Sequence, residues 1–256
     1  MLNKTLMALF HRDVRVAQRE LKFFFIRVGL QPLLFTFIFG YVMPRQGIVS
    51  RGYSDVLLPG ILALSMTLSA MQAVALPLVM DFGFTKEIED RLLAPIDING
   101  VALEKVAMGM LQGLLAGLVV LPLAWLLMGH NVTLQFARPF LLIGVSLLTG
   151  WLFAAFGLTL GTIAEPQQIG LVFNVILSPM IFFGCAYYPW AALHVIPWFQ
   201  RAVLINPLVY ASEGYRAALT SELPHMPLWG IFGGLVGFSL FFTFFGLRQF
   251  DRRAID

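Results

Sequence analysis

Charge is scarce in this chain. Of 256 residues, 17 are Lys or Arg and 14 are Asp or Glu, a charged fraction of 12% where soluble domains carry about 25%. So few charges cannot cover the surface of a soluble globule, which is therefore excluded. Disorder is excluded by the opposite property, because it needs low hydrophobicity and 59% of these residues are apolar. The single cysteine, Cys185, rules out a disulfide framework and any cysteine-based metal site. Histidines are as few: His11, His130, His194 and His225 fall in separate loops or near span ends, without metal-ligand spacing. H-E-x-x-H and G-x-S-x-G are missing, and none of the four lysines follows a glycine in a phosphate-cradling loop. Metal-assisted hydrolysis, serine catalysis and nucleotide binding thus lack their residues. Buried acidic pairs, the usual marks of proton- or sodium-coupled transport, are missing too.

Long charge-free runs are what the sequence does have. A helix needs about 20 apolar residues to cross a bilayer, and six segments qualify, near 23–43, 56–80, 106–128, 139–164, 169–188 and 228–247. Alternating segments of about ten residues, as in a β-barrel, do not occur. The expected fold is an all-α polytopic membrane protein of one domain, 1–256. Arg27, Glu104 and Glu165 lie at span ends, where snorkelling would keep them wet. Gly113/Gly117, Gly157/Gly161 and Gly233/Gly237 are small-xxx-small pairs that suit close helix packing. Phe238, Phe241, Phe242, Phe244 and Phe245 surround the last span, which argues for lipid and bundle contact.

Orientation follows from the loop cations. With the N-terminus inside, the cytoplasmic segments hold Lys4, Arg12, Arg15, Arg19, Lys22, Lys86, Arg91, Lys105, Arg248, Arg252 and Arg253. The other side holds Arg45, Arg51, Arg138, Arg201 and Arg216. Both termini are expected in the cytoplasm. The first twenty residues lack the apolar core of a cleavable leader, so the first span is expected to act as the insertion signal.

Three segments are not spans. Residues 1–22 contain a basic amphipathic helix from residue 4, with Leu6, Phe10, Val14, Ala17 and Leu21 on one side. It suits the headgroup layer, or else a solvated leader. Residues 81–100 form the longest cytoplasmic loop. There Thr85 can cap a short helix in which Glu87 and Arg91 pair at i,i+4, Ile88 and Leu92 make an apolar ridge, and Pro95 stops the turn. The loop is a solvated turn or a docking helix for a cytoplasmic partner. Residues 189–220 are broken by Pro189, Pro197 and Pro207 into apolar pieces too short to cross. They fit an external re-entrant helical hairpin, or an amphipathic pair resting on the headgroups.

Two of these segments together resemble a known family. KEIEDRLLAPI at 86–96, after the second span, is similar to the coupling segment of bacterial ATP-binding-cassette exporter permeases of the second exporter class. NPLVYASEGYRAAL at 206–219 resembles the family's signature before the last span, with Asn206, Pro207, Tyr210, Glu213 and Arg216 in the characteristic places. The family includes compact six-span permeases for drugs, lipo-oligosaccharides and polysaccharides. The resemblance implies a permease subunit in the bacterial inner membrane, working as a dimer (most simply a homodimer) with two copies of a separate ATPase. ATP and Mg would sit on that ATPase, leaving this chain without a cofactor. Glu87, Ile88, Asp90, Arg91, Leu92 and Pro95 would couple the two, and the substrate would be amphiphilic, lipid-linked or a glycan. Nucleic acid is not an expected partner, whereas membrane lipid is. The alternative is a secondary transporter or channel uncoupled from ATP, which would need intramembrane ionisable groups or broken helices. A membrane-embedded enzyme has no visible catalytic set.

Overall fold

Tyr53–Met80 (α1) is the helix on which the others are built. A computed structural model describes residues 30, 32–48, 52–85, 98–128, 138–220 and 222–255, and every regular element among them is helical. α1 has 28 residues, about 42 Å at 1.5 Å each, and most of its length is buried. Packed against it are α2 (Ile98–Met128) and α3 (Pro139–Ile163), and α7 (Leu228–Ile255) closes the bundle against α3. These four helices are long and apolar enough to cross a membrane, α1 with its continuation to Gly83.

Small residues let the backbones of α1, α2 and α3 meet. A methyl group on Gly113 of α2 would lie 2.8 Å from Ala70 Cβ, and one on Gly157 of α3 would run into the Met71 carbonyl. Gly117 and Gly161 face α1 in the same way. Two of the three glycine pairs are therefore helix-packing devices, as their spacing suggests. The third behaves differently, because Gly233 and Gly237 of α7 face open space.

The segments expected as first and fifth spans look different. The described part of 23–43 is helical and π-wound over Thr36–Val42 before a last turn at Met43–Arg45. The fifth, expected at 169–188, is a helix only over Ile169–Phe182 (α4), 14 residues or about 21 Å. It stops because Gly184 lies under Leu208, leaving no room for a side chain, and because Cys185 takes a left-handed turn at φ 53°. Tyr188 closes that turn by donating to Phe182 O at 2.9 Å.

The prolines do break the hairpin region where the sequence suggests. A 3₁₀ turn at Trp190–Val195 leads to α5 (Pro197–Ala202), a second 3₁₀ turn at Val203–Ile205, and α6 (Pro207–Leu219). α6 is almost wholly buried among α1, α3 and α7. The amphipathic helix expected within 1–22, Arg27, and the coupling residues 86–97 lie outside the described residues.

Candidate functional site

The signature residues before the last span converge on one place. Asn206 opens α6: its Oδ1 accepts from Leu208 N at 3.0 Å while its Nδ2 donates to Met180 O at 2.8 Å. One side chain thus caps α6 and ties it to α4. Pro207 follows at the first helical position, where no N–H is needed. Tyr210 donates to Leu204 O at 2.9 Å, holding the second 3₁₀ turn against α6. One turn on, Glu213 and Arg216 form an ion pair with both side chains wholly buried.

That pair is a knot of backbone contacts. Glu213 accepts from Trp190 N at 2.9 Å and from Met226 N at 2.7 Å. Arg216 donates to Cys185 O at 3.1 Å and to Val56 O at 3.3 Å. Five segments meet on it: the turn after α4, the start of the hairpin, α6, the lead into α7 and the first turn of α1. Beside it, Tyr215 donates to Ser146 Oγ at 3.0 Å and to Met66 Sδ, joining α6 to α3 and α1. A buried ion pair of this kind presents no face to a ligand; it fixes the architecture of this end. Its burial corrects the charge count, since Arg216 is no loop cation. Lys105, on the other side of the count, is buried as well, and so is Glu104, which was expected to stay wet.

At the opposite end the contacts are few. A π-helical turn, Asp81–Thr85, continues α1. Arg253, in the last turn of α7, lies with its guanidinium carbon 4.8 Å from the Phe82 ring centre. Its Nη1 donates to Thr162 O and Ala164 O at 2.5 and 3.1 Å, a cation on the carbonyl end of α3. Phe82 meets Phe250 edge-on at 5.7 Å, and Gly83 lies against Pro166 in the turn between α3 and α4. The π-turn therefore touches α7 through one ring and the turn between α3 and α4 through one glycine, and Arg253 links it on to the end of α3. Glu87, Ile88, Asp90, Arg91, Leu92 and Pro95 themselves are outside the described residues.

α4 carries the third feature. Its buried side chains are Phe173 and Met180, whereas Leu171, Asn174, Val175, Ser178 and Phe182 are exposed. Asn174 donates to Gly170 O at 2.9 Å, which leaves its carbonyl oxygen and one N–H available. Asn174 and Ser178 are four residues apart and share a face. Exposed polar side chains occur in the middle of α4 and not of α1, α2, α3 or α7, counting described residues and setting aside Arg248 and Arg252 toward the end of α7.

The family match follows the same landmarks. The ABC-2 type transporter family matches residues 4–220, a range that includes the signature on α6. The chain belongs to this family. It is also similar to the inner membrane transport permease YadH of Escherichia coli K12, 28% identical over 232 residues, covering 85% of this chain and 86% of that one. The same figures hold for YadH of Shigella flexneri. A putative transport permease, ycf38 of Porphyra purpurea, is 30% identical over 200 residues, 73% of this chain and 64% of the other. No solved structure matches.

Arg253 and the polar face of α4 were not singled out by sequence reasoning. Asn174 and Ser178 could have been, because their i,i+4 spacing is visible in the sequence. Arg253 reads as one more loop cation, and nothing local says that it reaches α3.

Proposed function

We propose that this chain is the membrane-spanning half of an ATP-driven exporter in the bacterial inner membrane, acting as two copies with two copies of a separate cytoplasmic ATPase. Six spans, with both termini cytoplasmic, would carry an amphiphilic, lipid-linked or glycan-type substrate out of the cytoplasm or inner leaflet. The observation that carries this reading is the exposed polar face of α4. A polar group without a full set of partners is costly against hydrocarbon, and among the described residues Asn174 and Ser178 meet nothing beyond their own helix. A second copy, with a polar route between the two, gives them partners. The relatives' names as transport permeases, one of them of an inner membrane, agree with it.

In this scheme ATP-driven closure of the ATPase pair pushes the helix bearing Glu87–Leu92. The π-turn at 81–85 would hand that motion to the turn between α3 and α4 through the Gly83–Pro166 contact. α4, with little packing of its own, would then move relative to the second copy. The test is Glu87→Lys combined with Leu92→Asp, which reverses one charge and places another in an apolar contact. Expected is a stably inserted permease that no longer co-purifies with its ATPase and no longer exports. Normal assembly and transport by the double variant would leave the loop a solvated turn and favour a transporter uncoupled from ATP.

A further inference from the structure

α4 has a second face, and it borders a wide groove. A groove of about 610 Å³ runs between α4, α5 and the inner helices α3 and α7. That volume lies within the ~300–1,000 Å³ of small-molecule sites. Its floor is Phe156 of α3 with Phe238 and Phe242 of α7, and its mouth is Phe183, Trp198 and Ile205. The one amide at the site, Asn206, is already engaged with Met180 O and Leu208 N. Apart from the Trp198 indole N–H at the mouth, the side chains of the lining offer no free polar group, so its occupant is apolar along this length.

Three observations identify that occupant. The first is depth: the lining residues on α4 and just past its end run from Ile176 to Phe183, about 10 Å along the axis. One leaflet of a ~30 Å hydrocarbon core is about 15 Å deep. The groove thus takes about two-thirds of the length of an acyl chain lying parallel to the helices within one leaflet. The second is the geometry of α4. At 100° per residue, Ile176, Pro179, Met180 and Phe183, which line the groove, centre roughly 180° from Asn174 and Ser178. A second copy placed on the polar face leaves the groove face turned toward lipid. The third is charge. Arg201 is exposed on α5, the helix that supplies Trp198, Phe199 and Ala202 to the lining, and it makes no ion pair with a described residue. Trp198 beside it, 72% exposed, is the residue type that sits at the headgroup level.

We propose that this groove binds an acyl chain of an anionic membrane phospholipid from the leaflet on the hairpin's side, with the phosphate held by Arg201. The lipid wedges between α4 and α7, which share few contacts, and so supports a helix that the described residues leave half-bare. The site requires no ATPase and stands or falls separately from the coupling scheme.

Native mass spectrometry of the full chain, reconstituted in vesicles of equal phosphatidylglycerol and phosphatidylcholine and then extracted in mild detergent, tests it. The wild type should retain phosphatidylglycerol. Ala202→Trp and Ile176→Trp fill the groove from opposite walls and should lower the retained lipid at least fivefold. Leu240→Trp, on the exposed side of α7 away from the groove, should leave it unchanged and controls for any general effect of a large side chain. Arg201→Gln should cut the preference for phosphatidylglycerol over phosphatidylcholine about fivefold, the effect of one surface cation, while an acyl chain is still held. Unchanged lipid retention in both filled variants would overturn the proposal. So would disulfide formation between two chains through a cysteine at Ile176, which would put the second copy in the groove; native Cys185 is buried and gives no background.

Discussion

The two ends of the bundle are held in opposite ways. At the hairpin end, an ion pair wholly shielded from solvent takes four backbone hydrogen bonds from four segments. At the other end, one cation and one aromatic ring connect the continuation of α1 with α3 and α7. The first arrangement has no low-cost alternative, because any displacement strands a buried charge. The second can slide, because a ring edge and a cation over carbonyls tolerate small shifts. Damage at the hairpin end should therefore be read out as loss of fold, and damage at the other end, under the proposed scheme, as loss of coupling.

Glu213→Leu is expected to have the largest effect. It leaves the Arg216 guanidinium buried without its carboxylate and frees two backbone N–H groups, a loss on the order of 3–5 kcal/mol. Adding Arg216→Met should restore part of it, since an apolar pair is less costly than half an ion pair. Thermal unfolding of the purified protein in detergent gives the comparison. A double variant no more stable than Glu213→Leu alone would show that the two residues do not act as a unit.

Next in size is Gly157→Val on α3, where the added side chain must displace the Met71 backbone of α1. Overpacking of this kind costs about 1–3 kcal/mol. Gly237→Val, at the same kind of sequence spacing but facing open space, should change stability by less than about 0.5 kcal/mol. Equal effects at the two sites would contradict the packing described for α1 and α3.

That contrast marks what the sequence makes legible. Hydropathy places α1, α2, α3 and α7, because a charge-free run of span length has few alternatives to a helix. It does not place the end of α4, since no local signal at Phe182 stops the helix. The stop comes from Leu208 over Gly184 and Arg216 on the Cys185 carbonyl, both more than twenty residues away. For the same reason SEGYR within α6 reads as polar and exposed, although Glu213 and Arg216 cancel one another in the interior. Glycine spacing identifies close-packing stripes on α2 and α3 but cannot say that the stripe on α7 meets nothing. The signature residues are recognisable as a set, yet their work, tying five segments together, appears only when partners remote in sequence are in place.

Arg253→Gln tests the other end. The amide can still reach a carbonyl, so the lost charge at the α3 terminus should cost no more than about 1 kcal/mol, and insertion and ATPase binding should persist. Under the proposed coupling scheme, export should nevertheless fall at least tenfold, because Phe82 loses the cation that joins it to α3. A variant that assembles with its ATPase and exports at the wild-type rate would remove Arg253 from the coupling path. One that fails to fold would mean that this end is as rigid as the hairpin end, and the comparison between them would collapse.

The smallest effect is expected at Asn174→Leu, and it separates a face that meets a second copy from one that meets lipid. Among the described residues the Asn174 amide makes one hydrogen bond, to Gly170 O, so the folded chain should keep its thermal stability within about 0.5 kcal/mol. Between copies, a polar contact within a membrane is worth about 0.6 kcal/mol, which is roughly a threefold weakening of the dimer at 1.4 kcal/mol per decade. Energy transfer between differently labelled copies in vesicles, followed as the lipid-to-protein ratio is raised, resolves a shift of that size. Leucine is the more favourable residue against hydrocarbon. If α4 faced lipid here, Asn174→Leu would stabilise the chain and leave association untouched. A weaker dimer with an unchanged fold assigns the face to the second copy; a more stable chain with an unchanged dimer assigns it to lipid and withdraws the observation on which the two-copy exporter rests.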